Sequence, residues 1–398
     1  MNTLNHFADS PSAVASARVL TERGGFAAPQ RVGWAGGTFA LGGAPEAGDL
    51  VAPPVSAGGD GGMWIVPGLV DAHTHVSWHA FMEEDRAHES EADRERETLR
   101  VLDAMLREGF TSLRDAGGYV PAPAASGPLP RVQTSVHMIT RDAADEQGGV
   151  LPIVERALES GARWIKLVGT ASVASPAGAG LDPLFSLREQ REIVERAAQA
   201  GAGVMLHAWG GQAIDDAIEA GVMSIEHGIF LTEAQAKRAA DRGMTHVPTL
   251  RIYRLVQRMI EHGELPSAFG KRVAEAVAAH PDAVRRSRDA GLAIALGSDY
   301  GTSEQHGTNR LEFDALVAAG LSAEEALVAA TRAGAELLKR VAVGDAPSGR
   351  IADGEIADAV IFSRDPRAPG AFSAPDSIFA VVIGGQLVRD PHPRKDQP

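Results

Sequence analysis

The chain has 398 residues, 44% of them hydrophobic, with 44 glycines and no cysteine. That is enough apolar material for a substantial core, and it excludes disulfides and thiolate ligands, so any bound metal must sit among nitrogen and oxygen donors. A formal net charge of -14 argues against nucleic acid, which needs clustered positive charge, and favours a small-molecule partner.

The first twenty residues carry neither a basic start nor a continuous apolar stretch, so no secretory signal is expected. No later segment reads as a membrane span either, and the expected location is the cytoplasm. Residues 1–60 are rich in Gly, Ala and Pro with short β-type runs. From 61 to 343 short apolar runs alternate with longer amphipathic ones, the pattern of repeated strand-then-helix units. Eight strands are predicted: Trp64 to Asp71, Thr111 to Asp115, Thr134 to Ile139, Trp164 to Val168, Gly203 to His207, Ser224 to His227, Thr245 to Thr249 and Leu292 to Gly297. Helical runs such as EADRERETLRVLDAMLREG and LREQREIVERAAQAG lie between them, with glycines suited to left-handed C-caps. Eight such units predict an α/β fold, a closed (β/α)8 TIM barrel. Residues 344–398 return to β-type runs, ADAVIF and the hairpin signal AVVIGGQLV. Neither flank can bury a core alone, so the two termini are expected to form one small β-sandwich beside the barrel. Homo-oligomerisation is compatible with the sequence.

The residues that carry chemistry also come in chain order. VPGLVDAHTHV ends in His73 and His75; side chains at i and i+2 of a strand share a face, so both imidazoles can reach one ion, although a surface pair is the plainer reading. Arg114 and Asp115 close the second strand, where a structural ion pair is the alternative to a substrate contact. Lys166, one of five lysines, sits in the apolar run RWIKLVG, a costly place for a free ammonium unless it is paired, neutralised or modified. A deprotonated Lys166 could take up carbon dioxide and offer two carbamate oxygens to two cations. His207 and His227 each follow an apolar run, as functional groups at the C-terminal mouth of a barrel do, although a core histidine is the ordinary alternative for either. Asp299 follows the last strand, where it could cap a turn, hold a metal or exchange a proton with water. His137, Trp209, Tyr300, His306 and Arg310 are candidates to face the substrate. His79, His88, His246, His262 and His280 read as structural or solvated.

Taken together, IVPGLVDAHTHV, GFTSLRDAGG, WIKLVGT, VMLHAWG, AGVMSIEHGIF, VPTL, ALGSDYG and SGRIADGEIADAVIF resemble the amidohydrolase superfamily, within it the imidazolonepropionase-like and prolidase-type branch. The resemblance implies a binuclear centre of two divalent ions, zinc first with manganese or cobalt as alternatives. His73, His75 and Asp299 would hold one, His207 and His227 the other, with a carbamate on Lys166 bridging them. It implies attack of a metal-bridging hydroxide on an amide of a small molecule, such as an N-acyl amino acid or a dipeptide, with Asp299 as catalytic proton shuttle. Two departures qualify this. The prolidase-type relatives place a tyrosine three residues after the sixth-strand histidine, where Phe230 stands here, so Tyr300 or His137 would have to replace its hydroxyl. The one-metal relatives that open or deaminate rings, the alternative reading along with lactone hydrolysis, carry a glutamate three residues after the fifth-strand histidine, where Gly210 stands. A barrel without catalysis is the third reading, disfavoured because none of the six metal-linked positions is missing.

Overall fold

The computed structural model describes residues 12–389 except 45, 47–48, 52–61, 120–126, 174, 176–178 and 343–345. Among them run strands β1 (Ala13–Val19), β2 (Gln30–Ala35), β3 (Thr38–Leu41), β4 (Trp64–Pro67), β5 (Leu69–Thr74), β6 (Phe110–Asp115), β7 (Arg131–Thr134), β8 (Met138–Ile139), β9 (Trp164–Val168), β10 (Gly203–Ala208), β11 (Ser224–His227), β12 (Thr245–Val247), β13 (Ala293–Ile294), β14 (Ala359–Phe362), β15 (Ile378–Ile383) and β16 (Gln386–Arg389).

Strands β8 to β13 form a six-stranded parallel sheet in chain order, and β5–β6–β7 a three-stranded parallel one. The two sheets approach each other at both ends: Ala72 donates its N–H to the Leu296 carbonyl at 2.8 Å, and Arg163 donates to Thr134 at 2.9 Å. The architecture is therefore mixed α/β with parallel strands, and the single closed ring expected from the sequence is present as two sheets. Helices fall where the 3.6-residue period predicts them, for example Glu91–Arg107 and Leu187–Gln199. Their starts are fixed by Ser90 and Ser186, whose side chains accept the backbone N–H three residues on.

Period-two alternation decides which side chains reach the site. In β9 to β11, Ile165, Leu167, Val204, Leu206 and Ile225 pack outward with the helices. Trp164 and Met205 belong to a separate inner cluster with Ala72, Val247 and Ala295. Lys166, His207 and Glu226, two residues on from inner or small positions, share that inner face.

Three boundaries differ from the sequence expectation. The first predicted strand is two: β4 lies between β14 and β1 in another sheet, and β5 begins two residues later. Gly68 separates them, and a Cβ there would lie 2.1 Å from Thr111 Oγ1. The third predicted strand is also two, because Val136 takes φ 59° and breaks the extended run between β7 and β8. The expected β-sandwich is one seven-stranded sheet, β16-β15-β14-β4-β1-β2-β3, built from both termini as anticipated. Its register slips between Val14 and Ala17, and such a bulge lets a sheet coil around its own core, here Val14, Trp34, Phe39, Ile65, Ile361 and Val382. No helix among the described residues is long and apolar enough to cross a membrane.

Gly68→Ala should be destabilised by about 1–3 kcal/mol, the usual cost of forcing a methyl into packed structure. Urea denaturation measures this directly; wild-type stability in the variant would mean that the β4–β5 junction has slack.

Candidate metal centre

At the C-terminal ends of the parallel strands the chain gathers the six side chains singled out as ligands. His73 is fully buried at the end of β5, where the register against β6 slips between Asp71 and Thr74. Its Nε2 lies 3.0 Å from Lys166 Nζ and 3.3 Å from Asp299 Oδ1. His75 Nε2 reaches the same carboxylate oxygen at 3.4 Å, while its Nδ1 is 3.0 Å from the Gly117 carbonyl. The rings of His207 and His227 stand 4.5 Å apart, and those of His73 and His227 5.1 Å apart. Ligand atoms of His73, His227 and Asp299 all lie within 4.8 Å of one another.

The donor chemistry fits divalent ions. His207 Nε2 is buried without a hydrogen-bond partner among the described residues, a costly state that a cation would relieve. Burial, reinforced by the charge of Lys166, holds the His207 pKa down at about 3, so the imidazole is neutral with a lone pair to give. Burial likewise lowers Lys166 to about 8, against the pull of Glu226 and Asp299. For Asp299 burial acts upward, but the charge of His73 and hydrogen bonds from His73 and His75 outweigh it and hold the carboxyl well below its usual range. His227 and Asp299 both adopt positive φ, 71° and 54°. Such backbone costs of order 1–3 kcal/mol per residue and persists only where the surroundings impose it.

The surroundings that impose it include a residue not singled out from the sequence. Glu226, one residue before His227 and completely buried, accepts from His73 Nδ1 at 2.6 Å and from Arg114 Nη2 at 2.8 and 3.0 Å. Burial opposes its ionisation, yet the charge of Arg114 and the His73 hydrogen bond bring its pKa down to about 2. A carboxylate on the far nitrogen fixes a ligating imidazole's tautomer and raises its basicity. His246 Nε2 and His280 Nε2 both bond the His227 carbonyl at 2.9 Å, consistent with a structural role for each. Asp71 accepts from Ser298 and Asn309 and so anchors the turn that carries Asp299.

A cavity of about 440 Å³ opens over the cluster, lined by His75, Lys166, His207, His227 and Asp299 among others. Most of the expected substrate-facing residues are not on its wall. Arg114 is fully buried beneath the cluster, with its guanidinium donating to Glu226, Ser224 and the Ala72 carbonyl. Its ion pair is with Glu226 rather than with the adjacent Asp115, which instead accepts from the Val76, Gly117 and Tyr119 N–H groups. His137 points to solvent while its neighbour Met138 lines the cavity. Tyr300 is buried with its hydroxyl accepting from Arg251 Nη1 at 2.5 Å, and His306 packs against its ring. Arg310 is buried against Glu108 and the Phe372 carbonyl. Trp209 and Phe230 pack together behind the wall. Trp209, Tyr300, His306 and Arg310, which follow strand ends, have turned into the core.

The residue that occupies the wall instead is Tyr253, from the Leu250–Glu261 helix after β12. Its ring stands edge-on to His227 at 5.8 Å and to His280 at 5.4 Å. Trp209 Nε1 donates to its hydroxyl oxygen at 3.0 Å. Burial, then the negative charge of Asp299, pushes its pKa well above the usual value, so the phenol keeps its hydrogen. The helix start is held tightly: Thr249, at φ 54°, bonds His227 Nδ1 at 2.7 Å, and the Leu250 and Arg251 N–H groups donate to buried Glu312 at 2.7 and 2.9 Å. Only the apolar helical face of VPTLRIYRLVQRMI hinted at this placement.

Residues 64–388 match the sequence model of the amidohydrolase family. An uncharacterised protein of Mycobacterium tuberculosis is 30% identical over 329 residues, covering 80% of this chain and 84% of that protein. The Aspergillus niger ochratoxinase is 30% identical over 252 residues, 62% of this chain and 51% of its own length. Among solved structures, a prolidase complexed with N-methylphosphonate-L-proline is 28% identical and superposes with a TM-score of 0.83 over 95% of this chain and 99% of that one.

Burial raises Glu312 from 4.5 to about 8, opposed by its two backbone donors. Below pH 4.5 the group is protonated folded and unfolded; between there and about 8 only the folded state keeps the proton, so this group's contribution to stability declines as pH rises. Wild type should therefore lose stability relative to Glu312→Gln across that window in urea titrations at stepped pH. Parallel curves would place the carboxylate's proton elsewhere.

Proposed function

Since the chain belongs to the amidohydrolase family, we propose that it hydrolyses an amide C–N bond of a small molecule, such as an N-acyl amino acid or a dipeptide. We read the two parallel sheets as the parts of a (β/α)8 barrel with the site at its C-terminal mouth, where such folds carry their chemistry. The observation that carries the reading is that Lys166 Nζ and Asp299 Oδ1 both lie within 3.3 Å of His73 Nε2, beside a buried His207 Nε2 that has no hydrogen-bond partner among the described residues.

His73, His75 and Asp299 would hold one divalent ion, His207 and His227 a second. Zinc suits these N/O donors best, with manganese or cobalt as substitutes. Lys166, kept toward its neutral amine by burial, would form an N–C bond to carbon dioxide, release a proton and place two carbamate oxygens between the two sets. A bound metal pair polarises a carbonyl and makes water nucleophilic near neutral pH.

The side chains do the rest. Asp299 accepts the proton of the attacking water and returns it to the leaving nitrogen, a role open to it because its carboxylate faces the cavity. Tyr253 donates its phenol hydrogen to the substrate carbonyl as charge develops there, the contribution that Phe230 cannot make. Glu226 keeps Nδ1 of His73 protonated and its Nε2 free for the ion. At Gly210 a Cβ would lie 2.8 Å from Phe230 Cβ, so the glutamate of the ring-deaminating relatives has no room, which favours the two-metal amidase over that alternative.

Expressed with bicarbonate and zinc, the protein should carry about two metals per chain by atomic emission. Lys166→Ala should lose metal and amide hydrolysis together while keeping its circular dichroism spectrum; full activity in that variant would reject the bridging role. Tyr253→Phe should keep its metals and lose roughly 10²-fold in kcat with little change in KM.

A further inference from the structure

The cavity over the cluster has two unlike halves. One is the polar floor already described. The other is a wall to which Phe81 and Met82 come from the segment after β5, Val173 from the segment after β9, Ile252 and Val256 from the Leu250–Glu261 helix, and Phe269 from the short turn beyond it. These six side chains pack with one another and are continuous with a buried apolar cluster that includes Leu265, Val273 and Ala276. Phe81, Met82, Val173 and Phe269 are each only half-buried and line the cavity, so part of the apolar surface of each faces it.

Charge on this half is scarce. Among the described residues, the wall outside the cluster carries one acid, Glu84, which is exposed, and one base, Arg86. Arg86 is engaged in the loop: its Nη1 donates to the Ala80 and Phe81 carbonyls, and its guanidinium lies 4.0 Å over the Trp78 ring. Trp78 in turn stacks on His75 at 3.8 Å. A substrate group entering this half meets hydrocarbon, and a charged group placed there would lose its hydration without a counter-charge in the wall.

We propose that the preferred substrate is an amide bearing a bulky, uncharged apolar group, an alkyl chain or an aromatic ring, on one side of the scissile bond, and that Phe81, Met82, Val173, Ile252, Val256 and Phe269 receive that group. This rests on the amide-hydrolysis reading above and narrows it away from short, doubly charged dipeptides. The free volume of about 440 Å³ accommodates such a group, and pockets of this kind bind ligands chiefly through their apolar walls.

The test uses the zinc-loaded protein and two homologous series, N-acylglycines from acetyl to octanoyl and N-acetylated amines from methyl to octyl, with Gly-Pro and Gly-Asp as charged controls. In at least one series kcat/KM should rise roughly threefold to fourfold per added methylene over the first several, the value of burying a CH2 group. The dipeptides should be poorer than the long-chain members. Phe81→Ser and Phe269→Ser should flatten that rise while leaving the metal content unchanged. A flat or falling profile in both series, or preference for the charged dipeptides, overturns the inference and leaves amide hydrolysis standing. If wild type cleaves neither series nor the dipeptides, the hydrolysis reading falls, and the pocket is then judged by calorimetry of alkylsulfonamides on metal-free protein. Affinity climbing with chain length supports the apolar pocket; chain-independent affinity rejects it.

Discussion

A carboxylate that never meets solvent holds this site together. Glu226 stands between Arg114 and His73, all three fully buried, and each of the three would be expensive alone. A buried ion pair that loses one member typically costs 3–5 kcal/mol, because the survivor is left charged in a poor solvent. The arrangement therefore has one low-energy geometry, and His73 is part of it. Because Ser224 and the Ala72 carbonyl satisfy the remaining donors of Arg114, β5, β6 and β11 are tied together below the ligands before any ligand is considered. The floor of the site is rigid for electrostatic reasons, and the positive φ of His227 and Asp299 above it can be tolerated on that account.

Much of the ligand geometry could be read from the chain because strands obey a period of two. In the structure Ile165, Leu167, Val204 and Leu206 take the helix-covered face, and by the alternation of a strand Lys166 and His207 emerge on the other. His73 and His75 follow the same rule and converge on one oxygen of Asp299. The resemblance of the motifs to the amidohydrolase superfamily pointed the same way, and the family match bears it out. Polar residues inside apolar strands were the useful signal. Lys166 was recognised by it, yet Glu226 in SIEHG gave the same signal and went unread, and Arg114 was recognised without its partner. The two opposite charges stand on β6 and β11, strands of different sheets, so no local pattern in the sequence pairs them.

Failures concentrate where no period applies. Trp209, Phe230, Tyr300, His306 and Arg310 all follow strand ends, and from the sequence a loop side chain beside a ligand can as readily turn into the core as into the cavity. Here they turned into the core, and Tyr253, more than twenty residues beyond His227, took the wall position. The strand boundaries erred for a related reason. Apolar residues run on through VPGLV, so nothing in hydropathy marks the change of sheet at Gly68; only the absence of a side chain beside Thr111 does.

The junction at Gly68 has a consequence for how the molecule is made. Strand β4 is flanked by β1 on one edge and β14 on the other, and nearly three hundred residues of chain separate β4 from β14. During vectorial synthesis one edge of β4 therefore stays open until residue 362 has emerged. β5, which begins at the next residue but one and presents His73, is the first strand of the two parallel sheets to be made, while the junction behind it closes only near the end of the chain.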